Sequence, residues 1–146
     1  MIQQIVQKLK AILDANTLLQ TSYSYERADP TGTPFATITP SANESDYNTT
    51  TENKRTYAFL IRLFTERAGQ TQPEDAENAM RTLVDSVLND LDSNYTLSGM
   101  TVPTGYTFHL MRAAPSAWGY TGVGENEYRV AEIKVQCVVS VDVTLI

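Results

Sequence analysis

The last stretch of the chain, from Tyr128 to Leu145, constrains the fold more than any other. One of its two alternating sets of residues begins with Arg129 and is otherwise apolar. Its members are Arg129, Ala131, Ile133, Val135, Cys137, Val139, Val141, Val143 and Leu145. Because successive side chains of a strand point to opposite faces, this period of two predicts a β-strand with one buried face. At roughly 3.3 Å per residue the strand would extend about 60 Å, when an ordinary strand runs about 17–20 Å. We therefore expect it to bend or bulge, or to leave the domain at one end and pair with another chain.

Length and composition favour one ordinary domain spanning 1–146. The chain has 146 residues, of which 42% are hydrophobic, so it can form a real core. No apolar run reaches 18 residues, so we expect no membrane span, and the N-terminus lacks the features of a secretory signal. The single cysteine, Cys137, excludes an internal disulfide and points to a reducing compartment.

The charge of the chain is concentrated in one segment. The formal net charge is −6, and between Pro73 and Ser93 only Arg81 opposes the carboxylates Glu74, Asp75, Glu77, Asp85, Asp90 and Asp92. These residues are predicted to form the solvated face of a helix. A net acidic domain with no basic stripe is a poor candidate for gripping nucleic acid through its phosphates.

Two amphipathic helices and five strands are predicted. Helical spacing of apolar residues indicates helices over 2–15 and from a capping box at Thr71 onward. A hairpin is expected over 21–40 with its turn at 29–33, followed by strands over 55–66 and 106–113 and the long final strand. The polar stretch 40–54 and the Gly-rich stretch 114–126 are predicted to be mobile loops. The order α-β-β-β-α-β-β predicts an α+β two-layer sandwich, a mainly antiparallel sheet with both helices on one face.

Signatures of catalysis are scarce in this sequence. The only histidine, His109, lies on a predicted strand with no acidic neighbour, and Cys137 lies on an apolar strand face, where an inert buried thiol is expected. Asp90 and Asp92 point in different directions on a helix, so they do not form an acid–base pair. No phosphate-binding or zinc motif occurs. We therefore predict a protein that is not an enzyme, with no cofactor and no metal site.

Aromatic residues between glycines are the most distinctive local feature. Trp118 and Tyr120 lie in the run Trp118-Gly-Tyr-Thr-Gly122. Two readings stay open: the rings form a lid over a local core, or they are anchors for a partner.

The order and type of these elements resemble the tail terminator (tail completion) proteins of long-tailed bacteriophages. An amphipathic helix opens the chain, a hairpin ends in Pro34-Phe-Ala-Thr-Ile-Thr-Pro40, and a polar loop leads into Arg55-Thr-Tyr-Ala-Phe-Leu-Ile61. An acidic helix follows, and the late alternating strand carries Tyr128-Arg-Val-Ala-Glu-Ile-Lys-Val135. The resemblance covers most of the chain, which departs from it in the longer 41–54 loop and the long final strand.

The resemblance implies a structural virion protein, assembled in the host cytoplasm. Its partners would be further copies in a ring, commonly a hexamer, together with the tail tube protein and a head–neck connector or head-completion protein. DNA would pass through without specific binding, and the acidic helix is a candidate lining of that channel. The candidate interface residues are Trp118, Tyr120, Tyr128, Arg129 and Tyr47. The middle of the final strand, 133–141, should pack under the helices, and the end near Tyr128 should project toward a neighbour.

Two alternatives remain at this point. One is another neck or tail component, such as a head-closure or tail-tube-related ring. The other, from a different class, is a small-molecule-binding or enzymatic α+β domain with a pocket under Trp118 and Tyr120. A deep pocket with convergent polar groups would favour the latter.

Overall fold

Two helices and six strands make up the described part of the chain. The computed structural model describes residues 1–26, 32–67, 73–123 and 126–146. Its elements are α1 (Ile2–Asp14), β1 (Thr21–Tyr23), β2 (Phe35–Pro40), β3 (Glu44–Tyr47), β4 (Glu52–Arg67), α2 (Pro73–Ser93), β5 (Tyr106–Val123) and β6 (Asn126–Asp142). The predicted α+β class and element order are confirmed, with β3 as one additional strand. Most of the predicted turn at 29–33 and the predicted cap at Thr71 lie outside the described residues.

The strands form one mostly antiparallel sheet in the order β1-β2-β4-β6-β5, and β3 pairs with β4 beyond the end of β2. Strand β6 lies between two partners of similar length: it pairs with β4 from Tyr128 to Asp142 and with β5 from Asn126 to Val141. The register shifts along β6 occur at β-bulges in its partner strands, at Phe64/Arg67 in β4 and at two places in β5. The long strand therefore stays within the domain, and the expectation that its Tyr128 end projects outward is wrong.

The main core lies between the helices and one face of the sheet. The predicted apolar face of β6 is confirmed, because its side chains at 131, 133, 135, 137, 139 and 141 are all buried. The helices cover this face with two apolar stripes: Ile5, Leu9, Ile12 and Leu13 from α1, and Met80, Leu83, Val84, Val87 and Leu91 from α2. Both helices therefore pack on the same side of the sheet, as the sequence predicts.

A second, smaller core covers part of the opposite face of the sheet, which we call the outer face. Phe35 stacks on Phe64 with ring centroids 4.5 Å apart, and Tyr128 meets Phe35 edge-on at 5.5 Å. Tyr128 is only 4% exposed in this cluster, so its predicted interface role is wrong. Period-two reasoning assigns Tyr128 to the face opposite the helices, but it cannot tell that aromatic residues of distant strands cover that face.

The predicted hairpin over 21–40 is also wrong. Strands β1 and β2 are neighbours, but they run parallel, with Thr21 opposite Phe35 and Tyr23 opposite Thr37. Alternation of side chains carries no information on strand direction. The 11 residues between them, 24–34, are close to the dozen that a crossover between parallel strands typically needs.

Neither predicted mobile loop is a loop along its whole length. Within 40–54, β3 and the start of β4 form a hairpin, in which the Asn48 N–H donates to the Glu52 carbonyl at 3.0 Å. Strand β3 buries no side chain, so composition alone misses it. Within 114–126, β5 continues to Val123 and β6 begins at Asn126. Pro115 is tolerated because β5 is an edge strand, where a missing N–H need not break a ladder.

Candidate functional site

Arg129 organises a cluster on the helix-facing side of the sheet. Its Nε and Nη2 donate to Oε2 of Glu77 on α2 at 3.1 and 2.8 Å, and its Nη1 donates to the carbonyl of Gly119 at 2.9 Å. Arg129 belongs to the odd-numbered positions of β6, whose side chains face the helices, and this explains why it meets α2. The guanidinium thus joins α2, β5 and β6.

The same guanidinium holds two exposed aromatic rings. Its central carbon lies 5.8 Å from the ring centroid of Trp118 and 5.1 Å from that of Tyr120, within cation–π distance of both. The two rings are 41% and 59% exposed. Rigid, part-exposed aromatic rings beside an arginine are the residue types that anchor protein interfaces. Their exposure fits partner anchors better than a lid, and we call Trp118, Tyr120, Arg129 and Glu77 the aromatic–arginine cluster.

The remaining predicted interface residue, Tyr47, lies elsewhere. It is on β3, which β4 and β6 separate from β5 in the sheet. Its side chain is 60% exposed. The structure therefore brings together Trp118, Tyr120 and Arg129 but places Tyr47 at the opposite edge of the sheet.

The six predicted acidic residues divide into two groups. Glu74, Asp75, Asp85 and Asp92 are exposed on α2, as predicted. Glu77 and Asp90 are half-buried and engaged: Glu77 binds Arg129, and Oδ2 of Asp90 accepts a hydrogen bond from Nδ2 of Asn16 at 2.7 Å. The prediction of a fully solvated acidic face is wrong for these two, because a helix presents part of its polar flank to neighbouring elements.

A groove of about 720 Å³ lies on the outer face, and sequence reasoning missed its floor. Its floor includes Phe35, Phe64 and Val130, and the consecutive residues 117–123 of β5, which include Trp118 and Tyr120, form one wall. Arg62 donates to Glu132 at 3.1 Å and also pairs with Glu26. The sheet register places Thr37, Arg62 and Glu132 side by side, but their sequence spacing carries no sign of this.

One polar atom of the groove is unsatisfied. Thr37 is 2% exposed, and its hydroxyl has no hydrogen-bond partner among the described residues. A buried hydroxyl left without a partner costs about 1–3 kcal/mol. This hydroxyl is the kind of group that a bound molecule could satisfy.

His109 and Cys137, whose side chains are capable of acid–base or nucleophilic chemistry, lie outside both the aromatic–arginine cluster and the groove. Nε2 of His109 lies 2.6 Å from the Ser140 hydroxyl oxygen on the exposed outer face. Cys137 is fully buried, and burial raises the pKa of its thiol to about 12. Among the residues that the structure describes, no three His, Cys, Asp or Glu side chains are placed to hold a metal ion.

Comparisons with known proteins assign no family. No protein-family model matches the chain, and no curated protein matches it. In the described ranges, neither helix has the length and apolar character needed to cross a membrane. Function is therefore inferred from the geometry of the chain itself.

Proposed function

We propose that the chain is a structural ring protein of a long-tailed bacteriophage that caps the tail tube, stops its growth and provides the surface to which the head joins. The observation that carries the proposal is that the two edges of the sheet are formed by different strands. Strand β5 forms one edge, and β1 and β3 lie at the other. A closed ring of identical subunits is built from head-to-tail contacts, and each contact requires two different surfaces of the same subunit.

The aromatic–arginine cluster supports this proposal. It lies on the β5 side of the sheet, and the ion pair with Glu77 holds its exposed rings in place. A preorganised anchor loses less conformational entropy on binding than a mobile one. Tyr47 provides an exposed ring on the opposite side. The candidate interface residues thus lie on both edges that a ring would use.

The exposed carboxylates of α2 supply the second line of support. We place them along the channel of the ring, where they would repel DNA phosphates and let the genome pass without binding. This arrangement uses Glu74, Asp75, Asp85 and Asp92, and leaves Glu77 and Asp90 to their structural partners.

The proposal is tested by measuring the mass of the assembly. Multi-angle light scattering and negative-stain electron microscopy should show closed rings, with six subunits as the expected number. The double variant Trp118→Ala/Tyr120→Ala should remain folded by circular dichroism and lose the rings. The control Ile2→Ala shortens an apolar side chain that is 46% exposed on α1 and outside the cluster, so it should keep them. A wild-type protein that stays monomeric at high concentration and never associates with tails would contradict the proposal.

The exact position in the particle needs its own test. Another neck component would also form rings, but only a terminator controls tube length. Adding the protein to polymerising tail tubes should give tubes of defined length with a ring at one end. Rings that bind the head connector and leave tube growth unchanged would favour a head-closure role.

A second candidate function rests on the groove. Its volume lies within the range of small-molecule sites, and it contains the unsatisfied hydroxyl of Thr37. A fragment screen by protein-observed NMR would test it, with shifts expected at Phe64 and Thr121. Thr37→Val should leave the fold intact and weaken any such fragment. A screen without shifts in the groove would exclude this function.

A further inference from the structure

Strand β5 has a short stretch in its middle that is open to a further strand. The Met111 N–H donates to the Tyr95 carbonyl at 2.7 Å, so the backbone groups of Met111 point away from β6. Alternate residues of an antiparallel strand share this orientation, so Ala113 also points its backbone outward. The bulge between Pro115 and Trp118 interrupts the ladder, which resumes at Trp118. Between the Met111–Tyr95 hydrogen bond and this bulge, the open, regular stretch therefore runs from Arg112 to Pro115.

Strand β3 has outward-pointing backbone groups that can meet those of this stretch. It has four residues, all of them exposed, and within the described sheet it pairs only with β4. The Asn48 N–H bonds toward β4, at the Glu52 carbonyl, so Asp46 and Glu44 also point their backbone groups to β4. Ser45 consequently points its backbone outward, as Ala113 does on the other edge.

The two stretches carry opposite charges on the same face. Arg112 is paired with Gln136 and Ala114 with Lys134, so Arg112 and Lys134 both lie on the outer face beside the β5 edge. Neither forms an ion pair with a described residue, and the nearby Glu132 is occupied by Arg62. Arg112 is also the only Lys, Arg, Asp or Glu among the residues of β5.

On the other edge, the outer face carries mainly carboxylates. Glu44 and Asp46 lie opposite Thr56 and Lys54 of β4, which belong to the outer-facing series of that strand. Glu52 faces the same way, so three carboxylates stand against the one ammonium of Lys54. Neither Glu44 nor Asp46 forms an ion pair within the described chain. The β3 edge is thus net acidic where the β5 edge is basic.

We infer that β3 of one subunit adds to β5 of the next, with Asp46 opposite Arg112, Ser45 opposite Ala113 and Glu44 opposite Ala114. The inference rests on the proposed ring and names the contact that would build it. Strands β3, β4, β6 and β5 alternate in direction, so a neighbour that continues the sheet presents β3 antiparallel to β5.

Shifting this register by two residues in either direction meets an obstacle. In the inferred register Tyr47 falls opposite Met111, so the pairing ends at Asp46. A shift in one direction places Glu44 in the bulge after Pro115, and a shift in the other places Ser45 opposite Met111, whose N–H already donates to the Tyr95 carbonyl. Along the sheet, Arg112 is level with Ala58 and Asp46 with Lys54, a stagger of four residues. A closed ring accommodates such a stagger by tilting its strands relative to the ring axis.

Charge reversal tests the inferred contact. Arg112→Glu faces the carboxylates of the neighbouring β3, and Asp46→Arg faces Arg112, so each variant alone should weaken ring association at least about tenfold in sedimentation experiments at low salt. The double variant Arg112→Glu/Asp46→Arg restores opposite charges and should recover rings. The control Asp85→Arg reverses an exposed charge on α2 that forms no ion pair with a described residue, and it should assemble as the wild type does.

Cysteine pairing provides a second measurement that does not depend on charge. Glu44→Cys/Ala114→Cys should form intersubunit disulfides under mild oxidation and give a ladder of covalent oligomers on a denaturing gel. The control Glu44→Cys/Thr107→Cys uses an exposed residue at the far end of β5 and should give no ladder.

The outcomes separate this inference from the proposed function. Wild-type rings that are unaffected by both single reversals and give no disulfide ladder would overturn the β3–β5 contact and leave the ring proposal standing. A wild-type chain that forms no rings would overturn both.

Discussion

Nη2 of Arg129 lies 2.8 Å from Oε2 of Glu77, and this ion pair joins β6 to α2 beneath the exposed rings of Trp118 and Tyr120. The Arg129 side chain is only 14% exposed, so its charge depends on Glu77 for compensation. A residue that looks, in the sequence, like part of an acidic solvent face thus supports the surface that we propose as an interface.

Removing the charge of Glu77 should destabilise the fold and loosen the cluster. Glu77→Gln leaves a half-buried guanidinium without its counter-charge, and we expect a loss of about 1–2 kcal/mol, between the values for exposed and buried pairs. The free energy of unfolding in urea measures the change. Glu74→Gln, which removes an exposed carboxylate of the same helix, is the control and should change stability by less than about 0.5 kcal/mol. Equal effects of the two variants would contradict the structural role of Glu77.

A charge on the helix-facing side of β6 should prevent folding. Val139 is fully buried in the main core, and Val139→Asp would place an unpaired carboxylate there. We expect insoluble protein or loss of the cooperative unfolding transition. Val138→Asp makes the same change on the half-buried outer face, one residue away, and should be tolerated far better. A soluble Val139→Asp protein that forms rings would mean that the two faces of the strand are reversed.

The thiol of Cys137 should be unreactive until the protein unfolds. Burial raises its pKa from the ordinary 9.0 to about 12, so the neutral form is favoured in the folded state. The folded-state pKa lies above the unfolded one, so the stabilisation is complete below pH 9 and is lost as the pH rises toward 12. Near pH 11 this loss amounts to about 2–3 kcal/mol.

The matched variant for this titration is Cys137→Ala, which lacks the ionisable thiol. Its stability deficit relative to the wild type, measured by urea unfolding, should shrink between pH 9 and 11. A thiol reagent at pH 8 should label the native protein only at the rate of unfolding. A constant deficit, or rapid labelling of the native protein, would disagree with this account.

Reversing the charge of the exposed face of α2 should create affinity for DNA. The triple variant Glu74→Lys/Asp85→Lys/Asp92→Lys replaces three exposed carboxylates by ammonium groups and should bind a labelled duplex at low salt, where the wild type does not. Fluorescence anisotropy measures the binding. The charge-conserving triple variant Glu74→Asp/Asp85→Glu/Asp92→Glu is the control and should behave like the wild type. Identical anisotropy for all three proteins would contradict the proposal that α2 lines the channel.

The predictions that succeeded rest on periodicity within one element. The helical stripe of α1 and the alternation in β6 each identify a buried face, and the structure confirms both. The failures concern relations between elements or strands that bury nothing. Strand β3 has no apolar face and therefore no signal, and the alternation of β1 and β2 is the same whether they run parallel or antiparallel.

In the candidate site, too, the sequence singled out residues within one element but not the contacts between elements. Aromatic rings between glycines single out Trp118 and Tyr120 from the sequence. Glu77, which binds the Arg129 guanidinium beside these rings, lies more than 40 residues away on a helix, and no local pattern connects it to Arg129. The groove around Thr37 and Arg62 depends on the register of three strands, which sequence spacing does not reveal.

The sequence by itself determined the α+β class, the two helices and the face of β6 that packs beneath them, because burial of apolar side chains follows the geometry of each element. Only the tertiary structure decided that β6 stays within the sheet, that Tyr128 is buried, and that β3 and β5 form opposite open edges. These properties depend on which backbone groups find partners. Such hydrogen bonds are made by every residue type, so they leave little trace in the pattern of side chains.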